Sequence, residues 1–400
     1  MLVVQKFGGS SIADAASIKR VAGIIADTYC DDNNVVVVLS AQGDTTDALL
    51  KKAAEINEKP SKREMDVLLT TGEQVSMALM AMALEKLGLP VVSLTGWQAG
   101  IQTDLNYGNA RVKRLDAERL HQELDRRRIV LVAGFQGINK YDDLTTLGRG
   151  GSDTTAVALA AALHADLCQI YTDVEGIYTA DPRLIPQAKK LDEITYDEML
   201  ELASDGAQVL HHRSVDLAKR YNVNLEVLSS FVRKPGTKVK EVTNKVEQTK
   251  ISGVTCDKNI ARIAVIGVPD EPGIAFRVFN PVSRAGVNVD VIIQSYGKDN
   301  TNDISFTVSQ KDADAARQAL EQVRDALGFE RVEIDENIAK VSVVGAGMIA
   351  SSGVATTMFE ALSAAGINIQ MITTSEIKIS VLIEQAYADV AVQAIYGKFF

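Results

Sequence analysis

The 400 residues carry a formal net charge of −10, with 42 Lys and Arg against 52 Asp and Glu. That balance argues against a general binder of nucleic acid or anionic membranes, while leaving room for a local basic site that holds one anionic ligand. Hydrophobic residues make up 46% of the chain and aromatics only 5%, which favours small aliphatic packing of the α/β kind over an aromatic β-sandwich; the length accommodates two or three domains.

Cys30, Cys168 and Cys256 lie far apart without metal-like spacing, as expected of free thiols in a reducing cytosol. The four histidines, among them His211 and His212, form no ligand cluster, so no metal held by protein alone is expected. The N-terminus MLVVQKFGG lacks the pattern of a signal peptide. No apolar run approaches the roughly 20 residues of a membrane span, and the expected compartment is the cytoplasm.

Leu2–Val4 reads as a buried strand that breaks at Gly8-Gly9-Ser10-Ser11, followed by a helix from Ala13 to Tyr29. Val35–Leu39 is a second strand, ending in SAQGDTTD (Ser40–Asp47) before another helix. Strand, polar loop and helix thus recur early, the pattern of a parallel sheet covered by helices, whose ligands collect at the carboxyl ends of the strands. Lys6 falls just past a strand end beside paired glycines. It suits either a phosphate contact or a solvated surface position. The loop is neither GxxxxGK[ST] nor GxGxxG.

Met65–Leu87 reads as a helix interrupted by TTGEQVS (Thr70–Ser76), in which Glu73 is the acid, either a site residue or a solvent-facing one. Val91–Leu94 and Ile129–Ala133 are strands, the latter closed by Gly134-Phe135-Gln136-Gly137. The stretch Leu147–Ala156, LGRGGSDTTA, carries the strongest local signal. Gly150 and Gly151 permit positive φ or close approach to a ligand. Ser152, Asp153 and Thr154 are good N-cap types, and the alanine-rich run after them favours a helix. A polar loop feeding a helix N-terminus suits an anion, and Arg149 adds a bidentate fork for carboxylate or phosphate. The plainer reading is an ordinary capped loop.

Ala165–Asp173 reads as a strand that delivers Thr172 and Asp173 to a loop. Asp173 and Asp181 suit Mg²⁺ ligation or turn formation equally, with Pro182 favouring a turn. Gly206–Arg220 reads as a helix and Leu225–Ser229 as a strand. Phe231–Lys250, rich in Lys, Thr, Val and Glu, reads as a linker after a first domain of residues 1–230.

The remainder holds an internal repeat: Ala261–Val268 (ARIAVIGV) matches Ala339–Ala346 (AKVSVVGA), and Gly286–Val289 matches Gly366–Ile369. Each copy reads as a ferredoxin-like βαββαβ module, over residues 251–335 and 336–400, the second with room for a strand drawn from about 251–260. Two such modules beside a larger first domain point to a sensing unit.

Taken together, VQKFGGSS (Val4–Ser11), SAQGDTTD, LLTTGEQVS (Leu68–Ser76), TLGRGGSDTTA (Thr146–Ala156), YTDVEGIYTADPR (Tyr171–Arg183) and TSEIKISVLI (Thr374–Ile383) resemble the aspartate kinases of the amino acid kinase superfamily, along essentially the whole chain. The resemblance implies a three-layer α/β/α kinase domain with a mostly parallel sheet, followed by two ACT modules. It implies phosphoryl transfer from MgATP to the β-carboxylate of L-aspartate, giving 4-phospho-L-aspartate, with lysine, threonine or both as effectors. On that resemblance Lys6, Gly8, Gly9, Ser10, Ser40, Thr172, Asp173, Tyr178, Arg183 and Gln208 fall in the ATP site. Thr46, Glu73, Arg149, Gly150, Gly151 and Ser152 fall in the aspartate site. Lys6 and Asp173 carry the catalytic roles, Asp173 either orienting Lys6 or lying near the nucleotide. Asn288, Asp290, Gln294, Asn368, Ile369, Ser375 and Glu376 form the expected effector site, with Asp290 as acceptor for a side-chain amine. A homodimer through the ACT modules is expected, with no nucleic-acid or membrane partner.

Two departures from the family pattern stand out. Gln208 replaces a lysine that contacts phosphate, and Met348–Ala355 (MIASSGVA) lacks the basic residue and His-Pro common there. The first gives a catalytically impaired amino-acid sensor as a competing reading, and the second leaves open which amino acid the second module recognises. A kinase of another acidic amino acid such as glutamate, with the same first-domain chemistry, is a further alternative.

Overall fold

Runs of β-branched residues set the central sheet. LVVQKF (Leu2–Phe7), NVVVVL (Asn34–Leu39) and IVLVA (Ile129–Ala133) are buried almost throughout, as strands covered on both faces must be. The computed structural model describes residues 1–206, 209–241, 251–296, 300–348 and 353–400, so Gln208 and the middle of MIASSGVA lie outside the described residues. Its contacts divide the chain into two units. The first comprises Met1–Thr179, Ala188–Ser204 and Gln208–Lys245; the second comprises Ala180–Gln187, Asp205–Ala207 and Val246–Phe400.

In the first unit an eight-stranded sheet runs Val91–Leu94, Ile129–Ala133, Asn34–Leu39, Leu2–Phe7, Leu167–Thr172, Leu225–Ser229, Thr237–Lys240, Glu193–Thr195. The first six are mutually parallel, and Thr237–Lys240 runs antiparallel to Leu225–Ser229. Parallel strands bring their carboxyl ends to one edge, so the loops after Phe7, Leu39, Ala133 and Thr172 gather there. Phe7, Ile25, Leu39, Met80, Leu84, Ile129 and Leu131 fill the core between this sheet and its helices.

Three local expectations change. Leu2–Phe7 extends beyond Val4, so Lys6 lies within the strand, paired with Val38 and Ile170, rather than past its end. The ladder on both sides carries the strand through a polar Gln-Lys pair that hydropathy alone reads as its end. The helix expected to break at TTGEQVS is continuous from Lys62 to Lys86, capped by Ser61 Oγ accepting from the Glu64 N–H. Its Thr70, Thr71 and Ser76 hydroxyls donate back to carbonyls three or four residues earlier, so polar residues do not interrupt it. Thr237–Lys240, inside the stretch read as linker, is a strand of the sheet. There Thr237 Oγ1 is buried and accepts from the Ile177 N–H at 2.8 Å.

The helix Lys62–Lys86 also has the length and hydropathy of a membrane span, contrary to the reading that no run approaches one. One face of it packs into the first unit: Asp66 and Glu73 lie buried on it and its Met80 and Leu84 are core residues, while Val75, Leu79 and Met82 are exposed.

In the second unit, two four-stranded sheets each carry a pair of helices. One sheet runs Val289–Tyr296, Thr301–Ser309, Ile260–Pro269, Arg331–Asp335. The other runs Gly253–Asp257, Ile338–Val344, Lys378–Glu384, Met371–Thr374. The repeated segments fall on equivalent elements. Gly273 (φ 88°) and Gly353 (φ 95°) cap the helices Ile274–Arg284 and Val354–Ala364, and Gly286 (φ 76°) and Gly366 (φ 70°) follow them. The second copy is not a contiguous βαββαβ unit: its edge strand Gly253–Asp257 pairs with Ile338–Val344 and precedes the entire first module. Ile260, Ile338, Met371 and Leu382 pack with Val291 and Ile293 into one apolar cluster.

Asp66 shows how the long helix positions the loops above it. Its Oδ2 accepts from the Gly108 N–H at 2.9 Å and the Thr146 N–H at 3.0 Å, and its Oδ1 from Thr146 Oγ1 at 2.7 Å. Asp66→Ala strands three donors, and the expected loss is about 3 kcal/mol of unfolding free energy, read by urea titration. A variant within 0.5 kcal/mol of the parent, roughly the scatter of surface substitutions, would contradict this role for the carboxylate.

Candidate active site

Lys6 projects from a strand buried on both flanks, and its side chain is only 12% exposed. Its Nζ lies 2.7 Å from Asp153 Oδ1, an ion-pair distance. Asp153 sits in the first turn of the helix Gly151–Ala162, which starts at Gly150 with φ 67°. The residue read only as a cap type is therefore the anionic partner of Lys6, and it ties the lysine to the RGGSD turn. Asp173, for which two roles were open, orienting Lys6 or lying near the nucleotide, is exposed, and its Oδ1 accepts from Thr172 Oγ1 at 3.0 Å. The contact between residues 6 and 153 leaves no mark in local sequence.

The Gly8-Gly9 loop is built for backbone approach. The Gly8 N–H reaches Tyr171 O at 3.4 Å, and the Gly9 carbonyl accepts from the Gly43 N–H at 3.1 Å. A Cβ on Gly9 would stand 2.7 Å from Ala41 O, so the two loops interlock only with glycine there. Ser10 is exposed, and Ser40, whose N–H donates to Phe7 O at 3.2 Å, begins the second loop. Thr46 lies half-buried in the first turn of the helix Thr45–Ile56.

Glu73 is 4% exposed. Its Oε1 accepts from the Ala41 N–H at 3.2 Å, and its Oε2 has no partner. Burial pushes its carboxyl up to about 7, with the Ala41 N–H pulling weakly the other way. A buried acceptor without a donor calls for a ligand that brings one. Arg149 is exposed and makes no ion pair among the described residues. Ser152 packs on Gly134, whose Cβ would meet Ser152 Oγ at 2.8 Å, and Gly151 packs on Phe135, itself held at φ 68°.

Residues that sequence reading left aside brace this turn. A Cβ on Gly150 would lie 2.2 Å from His211 Cβ. The Arg213 guanidinium donates to Leu147 O at 2.6 Å, Ala110 O at 2.9 Å and Asn109 Oδ1 at 3.0 Å. Burial holds the His211 imidazole below its ordinary value, and neighbouring His212 adds to the effect. The only sequence signal for Arg213 was its place three residues past a leucine in a helix-starting segment.

Thr172 ends the strand Leu167–Thr172 and Tyr178 follows it, both within the first unit. Tyr178 forms an isolated bridge with Lys190. Arg183 lies in the 180–187 segment of the second unit, where its guanidinium forks onto Asp181 at 2.7 and 3.0 Å. Asp181 is thus engaged by a cation rather than standing open beside Asp173. Among the described residues, no group of three or more His, Cys, Asp or Glu is placed to hold a metal ion.

In the second unit, Asp290 Oδ2 lies 2.5 Å from Lys340 Nζ. Its expected capacity to accept a ligand amine is therefore already used on one side. Ser375 and Glu376 sit in the exposed turn before Lys378–Glu384, and the Ser375 N–H donates to Lys378 O at 2.8 Å. Asn288, Gln294 and Asn368 are exposed, and Ile369 is half-buried ahead of Met371–Thr374.

The model of the amino acid kinase family matches residues 1–229, and that of an ACT domain matches 263–323 and 341–399. The chain is 51% identical to an aspartokinase of Mycolicibacterium smegmatis over 403 residues, covering all of this chain and 96% of that protein. It is 49% identical to an aspartate kinase of Stutzerimonas stutzeri over 399 residues, covering 97% of that protein. Its fold matches E. coli aspartokinase III in complex with aspartate and ADP (R-state) with a TM-score of 0.87 at 27% identity, both chains fully covered. The same enzyme with lysine and aspartate (T-state) matches with a TM-score of 0.76, covering 99% of that chain. A sheet with glycine loops at its carboxyl edge, followed by paired ACT modules, is the architecture these proteins share, and the chain belongs to the amino acid kinase family. Within that family its place is among the ACT-bearing aspartate kinases, which are ATP-dependent enzymes.

Glu73 gives a stability test of the site. Its folded pKa stands above the unfolded value of 4.5, so its contribution is full below that pH and is lost as pH rises through about 7. Glu73→Gln keeps an acceptor for the Ala41 N–H and removes the buried charge. The variant without ligands is expected to melt higher than the parent at pH 8, by at most about 3 kcal/mol, and to match it at pH 5. Thermal melts at the two pH values decide this, and a variant less stable at pH 8 would contradict a costly buried carboxylate.

Proposed function

We propose that this chain transfers the γ-phosphate of MgATP to the β-carboxylate of L-aspartate, giving 4-phospho-L-aspartate and ADP, and that lysine, threonine or both regulate it through the ACT modules. The observation that carries this reading is Glu73: a buried carboxylate with a vacant oxygen, on the helix Lys62–Lys86 and bonded to the Ala41 N–H of the loop that interlocks with the Gly8-Gly9 turn. An α-ammonium supplies the missing donor and keeps Glu73 ionised. Arg149 has its fork available for the substrate's α-carboxylate.

The chemistry needs no general base, because the β-carboxylate is already ionised at pH 7. One carboxylate oxygen forms a bond to the γ-phosphorus as the bond from that phosphorus to the β,γ-bridging oxygen breaks, and ADP leaves with the electron pair. The obstacle is bringing two anions together, which requires cations and N–H donors aimed at the transferring group. Lys6 is held for this by Asp153, and the glycine loop and the start of the helix Gly151–Ala162 add N–H groups. Mg²⁺ enters as part of the nucleotide substrate. The ACT modules expose Phe276, Ile292 and Ile372, apolar surface that suits the proposed homodimer.

Purified protein with MgATP and aspartate should yield acyl phosphate, trapped by hydroxylamine as the hydroxamate, and glutamate at equal concentration should yield far less. Equal rates with the two acids would reassign the substrate, and no product with either would support a sensor. Lys6→Ala is expected to lower kcat by on the order of 10²–10³. Asp153→Asn should lower it by roughly 10–100-fold, and the double variant should be no slower than Lys6→Ala, since the two act as a unit. KM for aspartate should rise about tenfold from pH 8 to pH 6 as free Glu73 takes up a proton, with KM for ATP moving little.

A further inference from the structure

Lys340 is an internal lysine on the strand Ile338–Val344, only 3% exposed. Its ammonium is committed on two sides, 2.7 Å from Asp205 Oδ1 and 2.5 Å from Asp290 Oδ2. Asp205 is fully buried, and its second oxygen lies 3.2 Å from Lys378 Nζ. Burial alone would lower the Lys340 ammonium, but the two carboxylates outweigh it and raise it to about 12, so the residue is a fixed cation. Asp205 has no freedom to withdraw. It adjoins Gly206, held at φ 106°, where a Cβ would stand 2.4 Å from Cys256 O, so this segment is locked against the strand Gly253–Asp257. Asp290, by contrast, is 45% exposed. Its Oδ2 is already engaged by the Lys340 ammonium, and nearly half of its side chain remains open to solvent.

This inference rests on the reading of Asp290 as part of the effector site. We propose that Lys340 is the specificity-determining residue of that site: it fills with its own ammonium the acidic position that a cationic side chain would use, so the site takes an amino acid with a short uncharged side chain. A ligand ammonium beside Asp290 would have to share its carboxylate with a buried cation that cannot retreat, and like charges at that spacing in a partly desolvated place repel. A hydroxyl or methyl side chain meets no such repulsion, and its hydroxyl can still donate to the Asp290 carboxylate.

Calorimetric titration of the full chain with L-threonine and, separately, L-lysine tests the proposal. Threonine is expected to bind at least tenfold more tightly than lysine, and Asp290→Asn to weaken threonine. Lys340→Met should improve lysine binding at least tenfold. Because that change leaves Asp205 buried beside one lysine fewer, the double variant Asp205→Leu/Lys340→Met provides the same test in a site free of an uncompensated acid. Lysine binding as tight as threonine in the parent, and lost in Asp290→Asn, would leave the effector site standing and overturn the role of Lys340. No gain of lysine binding in either Lys340 variant would overturn it as well. Binding of neither amino acid would remove the effector site and the inference together.

Discussion

A single ion pair ties the central sheet of the first unit to the turn that opens one of its helices. Lys6 belongs to the middle of an eight-stranded sheet, where ladders on both sides hold its backbone. Asp153 belongs to the opening turn of a helix whose start is shaped by glycine. Joining them holds a cation from the sheet against the RGGSD turn. Partly buried pairs of this kind contribute little net stability, because desolvation offsets much of the Coulomb attraction. What they provide is position, and a phosphoryl-transfer site depends on position more than on any covalent participation by the protein.

The loops around that pair hold one another by close backbone fit as well as by the side-chain bonds of Arg213 and Glu73. Gly9 against Ala41, Gly72 against Ala41 Cβ, Gly134 against Ser152 and Gly150 against His211 are all approaches that a methyl group would block. Glycine at these places is a steric requirement of assembly. The cost of such an arrangement is a carboxylate, Glu73, left half-satisfied in the interior.

Much of this was legible in the chain itself. Alternating apolar runs and glycine loops gave the parallel sheet and the edge where ligands gather, and the duplicated ARIAVIGV and AKVSVVGA segments gave the paired modules. What escaped were relations between distant residues. Asp153 reads locally as a capping side chain, and only the fold brings Lys6 to it. Thr237–Lys240 reads as linker because Lys and Thr dominate it, yet a buried ladder and the Thr237 hydroxyl make it a strand. Arg213 and Asp66 look like ordinary surface charges until the loops that they brace are folded against them. The break expected at TTGEQVS failed for the opposite reason: its hydroxyls satisfy themselves within the helix.

The strand Gly253–Asp257 completes a sheet whose other members lie beyond Ile338. One ACT module is therefore inserted within the other, like a parenthesis inside a sentence. The strands of the inserted sheet all lie within residues 260–335, while its Ile260, Val291 and Ile293 pack on Ile338, Met371 and Leu382 of the outer one. The outer module lacks that continuity: a fragment that begins at residue 336 would present Ile338–Val344 as a raw hydrophobic edge, open to pairing with whatever chain comes near. Cuts on either side of residues 260–335 would leave the strand Gly253–Asp257 with its partner Ile338–Val344, whereas a cut anywhere between residues 257 and 338 that discards what precedes it takes that strand away.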